Sequence, residues 1–289
     1  MRSPGAPSSG CPPPRANGSS EPARPSVENG PVTTVSRVLA ANAGPYTGPG
    51  TNTWIVGEEP VVAVIDPGPD DEPHLEAVLA RIGGTAVGAI LVTHSHADHL
   101  PLAARLAERT GARVLRWPEL ADGDVVRVGR LSLTALFTPG HAPDHIAFWH
   151  EEDRVLFTGD LVLGQGSSMV TYPEGDVAAY LRSLERVAEL EPRMLFPGHW
   201  DPVRDAAAKI AEYRTHRLQR ERQVVEAMER GPGTAEELTR RVYATEVGDS
   251  SPLLRAAEMT LSAHLRKLVD EGRAEVIAGP GGESYRLAG

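Results

Sequence analysis

The stretch THSHADH, residues 93–99, constrains this chain more than any other. Three of its ten histidines and an aspartate fall within six positions. The run Ala89-Ile90-Leu91-Val92 just before it is short and apolar and reads as a strand that stops where the polar cluster begins. At a strand end His94 and His96 alternate and can face the same way. A helix starting near His99 then brings Asp98 and His99 round beside them, and the small Ser95 and Ala97 leave room for ions. Imidazole nitrogens and carboxylate oxygens are the ligands that borderline divalent metals such as zinc accept.

Four ligands do not complete two metal sites, so others must come from further strand ends. His141 follows the apolar run 131–137 in the turn TPGH. Asp160 follows 154–157 in TGD, and His199 follows 194–196 in PGH. His74, His150, His216 and His264 lack this setting and read as structural, while His145 is placed behind the site as support for a ligand.

Around these points the chain alternates strands and helices. Strands are expected over 33–40, 51–56, 61–65, 89–92, 125–128, 131–137, 145–149, 154–157 and 194–196. Helices are expected over 73–82, about 99–109 and about 177–190, which together suggest sheets covered by helices on their outer faces. Past Pro202 helices take over: 204–230, one opened by Thr234 with Glu237 at capping-box spacing, and one from Ser251, then a hairpin. Three helices and a hairpin form a winged-helix pattern, serving either packing and dimerisation or nucleic-acid contact. The division expected is a disordered tail over 1–30, poor in apolar residues, a catalytic domain over 31–203 and a winged-helix-like domain over 204–289.

Bulk properties narrow the function. A net charge of −10 argues against passive attraction to nucleic acid or anionic membrane. Residues 31–204 carry 13 basic and 23 acidic side chains, so the catalytic part offers no broad phosphate track. A local exception is the helix after Pro202, where Lys209, Arg214, Arg217, Arg220 and Arg222 face only Glu212 and Glu221; it is either a solvated face or an RNA contact. The single cysteine, Cys11, excludes an intrachain disulfide and a thiolate metal cage. No stretch approaches the ~20 apolar residues of a membrane span, and no signal-peptide core is evident, so a soluble, cytoplasmic protein is expected.

HSHADH, Gly140-His141, Gly159-Asp160 and Pro197-Gly198-His199, in this order, resemble the metallo-β-lactamase superfamily over about residues 31–203. The segments GTNTWIVG and GDLVLGQGSS, and the helices after PGHWDPV, look like the beta-lactamase-like protein 2 family within it. The resemblance implies an αβ/βα sandwich with a small C-terminal winged-helix-like domain. It also implies two zinc ions per chain, one on His94, His96 and His141, the other on Asp98, His99 and His199, with Asp160 bridging. Trp200 departs from the glycine expected after the final histidine.

Two cations about 3.5–4 Å apart can share a water and lower its pKa toward neutrality, giving a hydroxide nucleophile. No G-x-S-x-G is present, and Cys11 lies in the tail, so no side-chain nucleophile competes with it. Metal-assisted hydrolysis is therefore expected, with Asp98 or Asp160 orienting the water or passing its proton on. The substrate stays open between single-stranded RNA, cut by an endoribonuclease, and acyl thioesters or esters. The thioester reading needs an apolar channel, drawing on Trp54, Met169, Tyr172 and Trp200. A third reading is an iron-dependent sulfur oxidoreductase. Oligomeric state is not legible.

Overall fold

A computed structural model describes residues 33–247, 251–279 and 282–289. The expected tail, 1–30, lies outside the described residues. Two five-stranded sheets form the body. The first runs in the order β1 (Val35–Leu39), β2 (Asn52–Glu58), β3 (Val61–Ile65), β4 (Ala86–Leu91), β5 (Val114–Leu115). The second runs in the order β10 (Met194–Pro197), β9 (Val155–Gly159), β8 (Ile146–His150), β7 (Leu131–Phe137), β6 (Val125–Val128).

Period-2 alternation builds the layers. On β2, Trp54 and Val56 face inward, where they join Ile65, Leu91, Leu133, Phe148, Phe157 and Phe196 between the sheets. Ile55 points outward, with Val62, Val64 and Ile90, onto α1 (Glu72–Ile82) and α2 (Ala103–Thr110). The outer face of the second sheet (Leu136, Trp149, Leu156, Leu195) packs on Tyr180, Leu184 and Val187 of α3 (Val177–Glu189). Helix, sheet, sheet, helix is the expected αβ/βα sandwich.

The long helix α4 (Ala206–Glu229) belongs to two cores. Its Ala206, Ile210 and Tyr213 complete the layer under the second sheet. Its Val224, Ala227 and Met228 instead join Leu238, Leu261, Leu265 and Leu268 of α5 (Ala235–Val247) and α6 (Ser251–Asp270). The hairpin of β11 (Ala274–Gly279) and β12 (Gly282–Leu287) completes the winged helix. Its capping box is reciprocal: Thr234 N–H donates to Glu237 Oε2 at 2.9 Å, and Glu237 N–H to Thr234 Oγ1 at 3.2 Å.

One expectation is revised, and one open reading is narrowed. The helix expected from His99 starts at Ala103, and residues 97–102 are turns. Pro101 disfavours helical geometry at Leu100, which leaves Asp98 and His99 free to converge on one point. The basic surplus on α4, open in sequence between a solvated face and an RNA contact, is in large part buried or paired. Arg217 and Arg220 are 2% and 9% exposed, Lys209 pairs with Glu212 at 3.0 Å, and Arg214 pairs with Glu185 at 3.2 Å. Among the described residues no helix is long and apolar enough to cross a membrane.

Candidate metal centre

All seven predicted ligands meet at one edge of the sandwich, on loops after β4, β7, β9 and β10. His94 Nε2 and His141 Nε2 each lie 3.0 Å from His96 Nδ1, so three nitrogens converge on one point. On the other side, Asp98 Oδ2 lies 3.1 Å from His199 Nε2 and 3.4 Å from His99 Nε2. Asp160 stands between the two groups. Its Oδ2 is 3.6 Å from His141, and its Oδ1 is 3.5 Å from both His99 and His199.

Each imidazole is held from behind. The Nδ1–H of His94 donates to Thr93 Oγ1 at 2.9 Å, that of His141 to Met169 O at 2.6 Å, and that of His199 to Gly50 O at 3.1 Å. His99 donates from Nδ1 to Asp66 Oδ2 at 2.9 Å. These bonds fix the tautomer and leave each Nε2 lone pair aimed inward. His96 is reversed, with Nδ1 inward and Nε2 3.3 Å from Glu174. His145 accepts from the amide of Asp160 at 3.2 Å, the supporting place expected for it.

Burial disfavours charge on His99, yet the carboxylates of Asp66 and Asp160 outweigh it and hold its pKa well above the ordinary value. His199 is likewise pushed up, to about 9, by Asp160 and Asp98 against the cost of burial. Burial would also raise Asp98 and Asp160, but the surrounding imidazoles hold both low. His94 moves the other way, because burial and four neighbouring histidines depress it strongly. Anionic carboxylates and inward Nε2 atoms thus share one desolvated point, where a bound cation takes the place of the protons that His99 and His199 otherwise hold. His99 Nε2 and Asp160 Oδ1 are buried without any hydrogen-bond partner. Such orphaned atoms are costly unless something else satisfies them, and a divalent cation fits this donor set.

Glycine is required where the ligands crowd. A Cβ on Gly198 would stand 2.6 Å from Asp160 Oδ1 and 2.7 Å from His99 Cε1. Trp200 takes the left-handed conformation, φ 64°, that the expected glycine adopts readily. Its carbonyl accepts from Asn52 Nδ2 at 2.7 Å, and its ring packs over Gly48.

Sequence reasoning passed over several side chains that organise the site. Asp66, also left-handed at φ 52°, accepts from the amide and hydroxyl of Thr93 besides His99. Its signal was visible, since Asp66-Pro67-Gly68 ends an apolar strand just as the ligand turns do. Arg217, on the basic helix, carried no such signal. It donates from Nη2 to Ser168 O and, at 3.2 Å, to Ser167 Oγ, and its guanidinium lies 5.2 Å over the Tyr180 ring. Ser168 Oγ in turn donates to Asp160 O at 2.5 Å and lies 3.3 Å from His141 Nδ1. The Tyr213 hydroxyl accepts from Leu163 N–H at 3.1 Å, so α4 clasps the loop that follows Asp160.

The site opens into a cleft of about 560 Å³ with Leu163, Met169, Trp200, Tyr46 and Met259 among its walls. Of the four aromatic and sulfur-bearing residues expected along an apolar channel, Met169 and Trp200 line it. Trp54 is instead buried between the sheets, and Tyr172 lies in a neighbouring depression.

Comparison with known proteins agrees with this geometry. Residues 46–122 and 116–199 match the metallo-beta-lactamase superfamily, and residues 234–281 match the beta-lactamase associated winged helix domain. A beta-lactamase-like protein 2 homolog of Caenorhabditis elegans is 29% identical over 276 residues, covering 88% of this chain and 90% of its own. An atrochrysone carboxyl ACP thioesterase of Aspergillus chevalieri is 35% identical over 257 residues, covering 82% and 81%. The crystal structure of a metallo-beta-lactamase family protein from Thermus thermophilus superposes with a TM-score of 0.72. It is 26% identical and covers 88% of this chain and 98% of that one.

Proposed function

The chain belongs to the metallo-beta-lactamase superfamily, and on that premise we propose that it is a dinuclear, zinc-dependent hydrolase of acyl thioesters or esters. The observation that carries the hydrolase reading is the divided donor set, with the buried His99 Nε2 and Asp160 Oδ1 left unsatisfied by protein. His94, His96 and His141 would hold one ion and Asp98, His99 and His199 the other, with Asp160 standing between the two groups. When bound, the ions supply a water acidic enough to attack at neutral pH and a Lewis acid for the substrate oxygen.

The chain's own groups do the rest. Asp66, Thr93, Met169 and Gly50 keep the imidazoles in their inward tautomer. Asp98, 26% exposed at its side chain and on the cleft side, is placed to orient the attacking water and take up its proton. The Trp200, Leu163 and Met169 side chains give the cleft beside the candidate ligands an apolar wall on which an acyl group can pack.

Acyl hydrolysis is placed ahead of RNA cleavage because Arg217 and Arg220 are turned inward, so α4 has no row of cations for a phosphate backbone. The thioesterase relative supports the same reading. The test compares hydrolysis of an octanoyl thioester, an aryl ester and single-stranded RNA, with and without chelator, together with metal content. Chelator-sensitive thioester turnover with about two zinc per chain is expected, and Asp160→Ala should lower it by at least ~100-fold. RNA cleavage alone would restore the endoribonuclease reading, and iron in the purified protein would favour the oxidoreductase.

A further inference from the structure

The winged helix reaches the cleft. Arg255, Ala256 and Met259 share one face of α6 and line the same cleft as the candidate ligands, together with Tyr46 and Trp200. The helix is tied there, because the Met259 carbonyl accepts from the amide of Tyr172 at 3.0 Å. The cleft wall therefore comes from two domains, and its one cation outside the donor cluster is supplied by the second.

The charged groups on that wall are few. His96, Asp98, His141, Asp160 and His199 belong to the donor cluster. Glu174 is directed at His96 Nε2, 3.3 Å away. Arg255 remains, an exposed guanidinium with no ion-pair or hydrogen-bond partner among the described residues. Met259 lies one helical turn away on the same face, and Arg255 also borders the neighbouring depression that Glu236 and Glu258 line.

We propose that Arg255 is a specificity-determining residue, and that the preferred substrate is an acyl group carrying a second, anionic function remote from the carbonyl that is cleaved. The inference rests on the hydrolase reading of the same site. A planar guanidinium matches a carboxylate bidentately. The protein as a whole carries a charge of −10 and repels anions, so a cation at the cleft rim has a distinct task in admitting one. A purely alkyl acyl chain would gain nothing from it.

The experiment measures kcat/KM of the zinc-loaded full chain on two N-acetylcysteamine thioesters, octanoyl and 7-carboxyheptanoyl. Wild type should prefer the carboxylate-bearing one. Arg255→Gln should lower the ratio of charged to neutral kcat/KM about tenfold, the size expected for one charge-assisted hydrogen bond, mainly through KM. Arg255→Lys should keep part of the preference, and added salt should erode it in wild type. A wild type that shows no such preference, or an Arg255→Gln variant that keeps it, overturns the proposal. If neither thioester is hydrolysed, the acyl-hydrolase reading itself fails and the proposal falls with it.

Discussion

At the scale of single residues, this site depends on atoms behind the ligands as much as on the ligands. Arg217 is 2% exposed and has no carboxylate partner among the described residues; its work is to hold the Ser167–Ser168 segment against Asp160 and His141. Outer partners of metal ligands typically carry ten- to a hundredfold in metal affinity. Arg217→Met should therefore weaken zinc binding by ~10- to 100-fold in a chelator competition, while Arg217→Lys recovers part of it. Equal affinities in all three proteins would show that the arginine only fills space. The convergence of the seven candidate ligands was legible because they lie in turns that follow four apolar strands. Arg217 was not, because its charge in a basic run reads as solvated, and only the fold turns it toward a backbone carbonyl.

At the scale of elements, strand positions and the capping box were legible from alternation and spacing, and helix α2 was misplaced by four residues because Pro101 decides its start. Helix α6 shows what periodicity hides. His264 lies on its buried side, fully enclosed, with neither ring nitrogen hydrogen-bonded to protein. Burial pushes its pKa down from 6.5 to about 3, and Arg217, Lys267 and Arg220 push the same way. The folded state keeps the ring neutral, while the unfolded chain takes a proton below pH 6.5. The associated stability is therefore complete above that pH and lost as pH falls toward 3, at up to about 1.4 kcal/mol per pH unit. Urea midpoints between pH 4 and 7 should fall less steeply for His264→Leu than for wild type. Superimposable slopes would mean that His264 gains its proton in the native state.

At the scale of the whole molecule, the family boundary and the physical boundary differ. The match to the winged helix begins at 234, the sequence suggested a division at 204, and α4 lies across the interval with half its apolar side chains in each core. A chain ending at 203 loses Ile210 and Tyr213 from beneath the second sheet and Arg217 from the ligand loop. It should collect in the insoluble fraction, whereas two freely separable domains would leave it soluble and able to hold zinc. The charge asymmetry was legible in composition, but the sharing of a helix was not, since a periodic apolar stripe does not say which partner it meets. The shared helix also limits how such a protein can be inherited or rebuilt. A catalytic half grafted onto another winged helix must bring α4 with it, arginine included, because the interval between the two family matches is a helix shared by both cores rather than a linker. Heat should find no seam either: the two halves should melt as one transition, and damage at Met228 should be felt at the candidate metal ligands.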